Sequence, residues 1–228
     1  MAQAHEHDDP RHQAPRVLIF FDYACPFCYV DQHRLDRLRD EYPGVQWFLV
    51  PFELRPDMPE EGYQVSELEA SGFGDRVEEH LQRIARTDGF PMLDPPFLPK
   101  THKALVLGEM ARDLGEDGHR RTHAAIFAAY FAEGRDIGDP EVLHEIAGGF
   151  GFLLADVDTA WDTGAYDERL HQYRHVAMNL GLDSTPAALI CNELLVGSRP
   201  YRVLADALER CMVTPDNVEQ QAEDSAPA

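Results

Sequence analysis

Residues 16–52 read RVLIFFDYACPFCYVDQHRLDRLRDEYPGVQWFLVPF, and this stretch restricts the fold more than any other. VLIFFDY (17–23) is a short apolar run rich in aromatic and β-branched residues, the pattern of a buried strand. From Pro26 to about Tyr42 the pattern turns helical, with Val30, Leu35 and Leu38 inward and Asp31, Arg34, Arg37 and Arg39 outward. Pro43-Gly44 stops that helix, and VQWFLVPF (45–52) supplies a second strand. Strand, helix and strand in so short a span make a βαβ unit, because strands that run the same way need a crossover between them. A parallel sheet follows.

After FELRPDMPEEGY (52–63) the character changes. Residues 64–88 are polar with a helical pattern, and PMLDPPFLPK (91–100) is a proline-rich loop. Amphipathic helices are expected at about 100–114, with Ala104, Leu107, Ala111 and Leu114 on one face, and at about 119–133, with Ala124, Phe127 and Phe131 together. A third opens at Asp139-Pro140, a cap followed by proline at the first helical position, and buries Val142, Leu143, Ile146 and Phe150. Shorter patterns at about 155–163 and 167–180 complete the series, the last with Leu170, Tyr173, Ala177 and Leu180 in line before Gly181. Strand signals return at PAALIC (186–191), Asn192-Glu193 turns the chain, and LLVG (194–197) answers as a hairpin partner. The final helix, about 200–211, carries Tyr201, Leu204, Leu208 and Cys211 on one stripe. The organisation is therefore βαβ, a large all-helical insertion over 60–182, then ββα, with 16–59 and 183–212 forming the α/β part. The polar ends, 1–15 and 213–228, lack periodicity and are expected to be disordered.

At 44 % hydrophobic, the 228 residues can bury a core without covalent staples. Acidic residues outnumber basic ones 41 to 20, for a net charge of −21, and such a surface repels nucleic-acid backbones. Lysine occurs only at Lys100 and Lys103. No basic start with an apolar stretch and cleavage site precedes Val17, and no run approaches the ~20 apolar residues of a membrane span, so a cytoplasmic location is expected. The four cysteines, Cys25, Cys28, Cys191 and Cys211, are too few for a disulfide scaffold.

Cys25 and Cys28 stand where the first strand hands over to the helix. A C-x-x-C there can serve redox chemistry or a metal, or be two ordinary buried thiols. With Pro26 at the first helical position, Cys25 sits over the unpaired N–H groups and positive end of the helix, a field that favours thiolate over thiol. Cys28 lies one turn inside, on the same face. Cys25 is then the attacking sulfur and Cys28 the resolving one. Zinc would want a second close pair of ligands, and Cys191 and Cys211 stand too far apart in sequence for that. Pro186, opening a strand after Thr185 and facing the C-x-x-C, fits a cis-proline whose bond exposes the preceding backbone to an extended partner. Pro26, Phe27, Thr185 and Pro186 are the candidate substrate-contacting residues, with Phe27 as an apolar contact beside the sulfurs.

DYACPFCY (22–29), PFELRP (51–56), AAIFAAYFAEGRDIGDPEVL (124–143) and GLDSTPAALICNELLVGSRPY (181–201) together resemble the DsbA-like thioredoxin-fold oxidoreductases, in particular the FrnE-type branch related to 2-hydroxychromene-2-carboxylate isomerases. The resemblance covers roughly 16–212. It implies a thioredoxin-like fold with Cys25 matching the nucleophilic cysteine, Cys28 the resolving cysteine and Pro186 the cis-proline, while the insertion roofs the active-site cleft. It further implies thiol/disulfide protein substrates and glutathione as partners, with no cofactor and no metal. This sequence departs from the pattern in three places. Ile19 stands where many thioredoxins carry a buried acid, and Asp22 is the nearer acid, placed either to tune proton transfer or as a solvated strand-end residue. Ser184 replaces a frequent glycine. Cys25 stands where the isomerases carry serine, which argues against their reaction.

Two rivals remain: a glutathione-dependent isomerase or transferase acting on a small molecule, and a non-catalytic module that holds extended peptides. His119 with His123, and His171 with His175, are i,i+4 pairs that read as solvated helix faces. Cys191 and Cys211 read most simply as small core hydrophobes, with a disulfide between them left open, and Glu53 and Arg55 as structural.

Overall fold

The computed structural model describes residues 14–65 and 75–212. The segments expected to be disordered, 1–15 and 213–228, lie outside the described residues except for Ala14 and Pro15. β1 (Arg16–Phe21), α1 (Pro26–Glu41) and β2 (Gln46–Pro51) form the βαβ unit. Next come β3 (Tyr63–Gln64), α2 (Asp75–Asp88), β4 (Phe97–Leu98), α3 (His102–Met110) and a 3₁₀ turn, Ala111–Leu114. Helices α4 (Gly115–Phe131), α5 (Pro140–Gly149), α6 (Leu154–Thr163) and α7 (Asp167–Asn179) follow, then β5 (Ala187–Ile190), β6 (Glu193–Val196) and α8 (Tyr201–Met212). The segment between β2 and β5 is mainly helical, as expected, and adds a short antiparallel ladder between β3 and β4.

The main sheet runs β2-β1-β5-β6. β1 is parallel to β2 from Arg16↔Gln46 to Phe21↔Pro51 and antiparallel to β5 from Val17↔Ile190 to Phe20↔Ala187. β1 is apolar on both faces because both are covered. Val17, Ile19, Phe21 and Tyr23 point into the larger core, with residues of α1, α3 and α4. Phe20 points the other way, against Val50, Phe52, Ala177 and Leu182. That period of two explains why the run reads as continuous rather than alternating.

Several side chains depart from the expected faces. Asp31 and Arg39 of α1 are inside rather than outside. Asp31 pairs with Arg34 at 3.1 Å and accepts the Ser198 hydroxyl, and burial pushes its pKa up to about 6. Arg39 lies over the Trp47 ring, 5.5 Å from its centroid, and pairs with Asp36 at 3.4 Å. Leu114 is exposed because the α-helix ends at Met110 and tightens into the 3₁₀ turn; Leu180 is exposed because it caps α7. The β5–β6 turn is Cys191-Asn192, one residue earlier than expected, since Ile190↔Glu193 is the last pair. Cys191 there adopts φ 51°. It is half-buried, and it is joined by a disulfide to Cys211 of α8, with Cα atoms 6.1 Å apart. The two are a covalent pair rather than separate core hydrophobes: the early turn brings Cys191 to the end of the α8 stripe.

Tyr23 locks α3 to the sheet. It is fully buried, it bonds His123 Nδ1 at 3.1 Å, and it packs edge-on against Phe21 and Phe127. A Cβ at Gly108 would fall 2.5 Å from its hydroxyl, so only glycine fits there. Gly108→Ala is expected to cost about 1–3 kcal/mol by overpacking, against a near-neutral Gly44→Ala, both read by urea unfolding. Cys211→Ser should cost about 3 kcal/mol under oxidising conditions, from lost restraint on the unfolded chain. Its unfolding midpoint should coincide with that of the parent when both are reduced.

Candidate thiol active site

The β1–β5 register places the site. With Phe20 paired to Ala187, Pro186 lies just past the end of the ladder and Thr185 reaches the turn between β1 and α1. The Thr185–Pro186 peptide is cis. Cys25 is the N-cap of α1, with φ −87° and ψ 113°, and Pro26 follows in the first turn. The Cys25 sulfur accepts the Cys28 N–H at 3.4 Å, as N-cap side chains do, and its thiol faces the Thr185 carbonyl at 3.4 Å. Cys25 N–H donates to the Asp22 carbonyl at 3.1 Å, closing the turn.

Both thiols are free and nearly covered, Cys25 at 5 % exposure and Cys28 at 3 %. Burial, then the hydrogen bond and proximity to Cys25, push the Cys28 thiol well above its ordinary pKa. The Thr185 hydroxyl and the Asp22 backbone act in the opposite, weaker sense. Thr185 Oγ1 is buried there without completing a hydrogen bond of ordinary geometry. Pro26 and Phe27 are half-buried at the rim. A cavity of about 10 Å³ under Cys28 is walled in part by Ile19, at the position where an acid was noted as missing, together with Gln32, Arg39 and Pro186.

Asp22 is not a solvated strand end. It is 1 % exposed, and its carboxylate accepts Ala24 N–H at 2.9 Å and Leu54 N–H at 2.7 Å. Burial raises its pKa to about 6; these amides and the Thr101 side chain oppose the rise, and the Glu53 charge adds to it. Glu53, read as structural from sequence, sits with Oε2 3.2 Å from His102 Nδ1. Neither Thr101 nor His102 stood out in the sequence, since a threonine and a histidine before a helix carry no site signal by themselves.

The helical histidine pairs divide. His123 is buried against Tyr23 and His119 is half-buried, where burial pushes its pKa down to about 4, so the α4 pair is not a solvated face. His171 and His175 are exposed. Among the described residues no three His, Cys, Asp or Glu side chains converge as metal ligands, and no helix is long and apolar enough to cross a membrane.

Comparison with known proteins bears on the fold and the family. A curated relative, the uncharacterized protein YwbO of Bacillus subtilis, is 24 % identical over 195 residues, covering 84 % of this chain and 94 % of its own. The crystal structure of the probable DsbA oxidoreductase SCO1869 from Streptomyces coelicolor superimposes with a TM-score of 0.79 at 24 % identity, covering 88 % and 92 % of the two chains. A 2-hydroxychromene-2-carboxylate isomerase gives 0.70 at 18 % identity, over 92 % and 100 %. The cytosolic disulfide reductase DsbM from Pseudomonas aeruginosa, solved with GSH, gives 0.61 at 20 % identity, over 91 % and 99 %. These likenesses establish the thioredoxin-like fold. The DSBA-like thioredoxin domain family matches residues 16–209, which takes in the whole main sheet, Cys25, Cys28 and the Pro186 loop, and the chain belongs to that family.

Proposed function

We propose that the protein is a thiol–disulfide oxidoreductase in which Cys25 attacks and Cys28 resolves. One observation carries the reading: the Cys25 sulfur caps α1, takes the Cys28 N–H and faces the Thr185 carbonyl beside Pro186. The positive helix end supports a thiolate at Cys25. That thiolate forms a bond to one sulfur of a substrate disulfide and expels the other as a thiolate, which takes up a proton. Cys28 then loses its proton and bonds Cys25, expelling the second substrate thiolate. Two electrons pass to the substrate, whose two thiolates take up the Cys28 proton and one from solvent, and the protein is left with a Cys25–Cys28 disulfide. No nicotinamide or metal enters these steps.

Pro26 and Phe27 flank the sulfurs, and Thr185 with Pro186 offers backbone to an extended chain, so these four contact the substrate. The substrates are thiol and disulfide proteins, with glutathione as a further partner, supported by the GSH held in the Pseudomonas reductase. The cytosolic place of that reductase supports a cytoplasmic one here, with reduction as the direction. The chain organisation supports the sheet, α1 and α8 (16–59 and 183–212) as the thioredoxin-like unit and 60–182 as the insertion that shapes access.

The likeness to the isomerase, at a TM-score of 0.70, favours one second reading: glutathione activated at the Cys25 position to act on a small molecule. A redox titration in glutathione buffers, with acid trapping and mass-spectrometric mapping, tests the first. One Cys25–Cys28 couple is expected, within the roughly −270 to −120 mV of C-x-x-C proteins; a Cys25 that only holds glutathione would sink it. Cys28→Ser should stop dithiol cycling and trap Cys25 in mixed disulfides. Full turnover of a small substrate by that variant would instead carry the isomerase reading.

A further inference from the structure

Asp22 is where three segments meet: the turn before Cys25 through Ala24 N–H, the chain after β2 through Leu54 N–H, and the start of α3 through Thr101. The neighbours of the last two extend the contact outward. Glu53 precedes Leu54, His102 follows Thr101, and Glu53 Oε2 lies 3.2 Å from His102 Nδ1. His102 Nε2 lies 3.1 Å from Asp167 Oδ1, at the first residue of α7. Exposure loosens along the series, with the Glu53 side chain at 13 %, His102 at 30 % and Asp167 at 41 %. Glu53 Oε1 is buried and has no partner.

We propose that His102 is a positioning residue for the thiol chemistry: clamped between Glu53 and Asp167, it holds Leu54 and Thr101 around Asp22, and through Asp22 it sets the geometry and charge of the turn that carries Cys25. The inference rests on the oxidoreductase reading and deepens it.

The charges around the run decide its behaviour. His102 faces Glu53 from the segment after β2 and Asp167 from α7, and it shares a cavity wall with Lys100, Lys103 and Glu60. Asp22 faces Glu53, with Tyr23 and Tyr130 nearby. The hydrogen bond to Glu53 leads in raising the His102 pKa, so the charged clamp is complete below the ordinary histidine range and is released as pH climbs through the raised value. Removing the imidazolium takes a positive charge from beside Glu53 and should raise the Asp22 titration. Removing the Glu53 charge takes a negative one from Asp22 and should lower it. Loosened packing alone has no reason to give opposite signs.

The test is the rate of Cys25 alkylation by iodoacetamide on the reduced full-length protein, followed by mass spectrometry between about pH 4.5 and 9. Wild type, His102→Gln, Glu53→Gln and Lys103→Gln are compared, with thermal unfolding and exchange on a peptide disulfide measured in parallel. Wild type should show an inflection near pH 6 beneath the thiol ionisation. His102→Gln should move it up and Glu53→Gln down, with Lys103→Gln unmoved. Folded variants whose profiles superimpose on wild type, or shift in the same direction, overturn the proposal. Should His102→Gln fail to fold, Glu53→Gln decides: a downward shift supports it and no shift overturns it. A wild type that alkylates at Cys25 yet exchanges no disulfide would end the oxidoreductase reading, while the profiles would still judge His102.

Discussion

β1 has no solvent face. Val17, Ile19 and Phe21 fill one core and Phe20 the other, so a slip of one residue against β5 would turn four buried side chains to the wrong sides. At about 1.5–3 kcal/mol for each large apolar side chain returned to water, such a slip is prohibitive for a domain of ordinary stability. The register that burial enforces is also the one that sets Pro186 across from Phe21, one step past the last pair, and brings Thr185 to Cys25. Cys25 and Thr185 are 160 residues apart in sequence, yet no dedicated contact is needed to bring them together. The hydrophobic alternation of one strand does it.

What could be read in advance follows the same division. β1, β2, α1 and the ββα end were legible because periodicity and Gly/Pro stops report burial directly, and Asp139-Pro140 marked the start of α5 because capping is local. DYACPFCY was legible because a strand end, a proline and two cysteines define the geometry of one helical turn. Asp22 was not, because its burial comes from Leu54 and Thr101, which are distant in sequence. Asp31 and Arg39 misled for a related reason. A charged side chain reads as outward unless its partner is visible, and Ser198 and Trp47 lie on other elements. The Cys191–Cys211 bond needed a Cα separation that a sequence separation of 20 does not reveal.

The buried polar groups are arranged by the helical segment. Glu109 of α3 is wholly buried; Arg112 holds it at 2.8 Å and reaches the Leu49 carbonyl of β2, and Arg169 of α7 approaches it at 3.5 Å. Tyr23 and His123 join the strand end to α4. A chain with net charge −21 can keep these acids inside only because each meets a cation or an amide; isolated, each would cost several kcal/mol. The insertion therefore does more than cover the sheet. Its side chains complete the polar accounting of β1, β2 and the turn between β1 and α1.

One turn of helix then makes two chemically identical thiols unlike. Cys25 ends the extended segment as the N-cap, where its sulfur, at 3.4 Å, shares the Cys28 N–H with its own carbonyl, at 3.1 Å. Cys28 lies inside the turn, its sulfur walled by the core and by Thr185, and its thiolate is disfavoured by burial and by the other sulfur. The asymmetry has a local cause, the N-cap position, and a distant one, the Pro186 loop brought in by β5. In the proposed exchange an attacking sulfur has to meet a partner, whereas a resolving sulfur has to meet only its neighbour, and the raised pKa of the Cys28 thiol suits the second task.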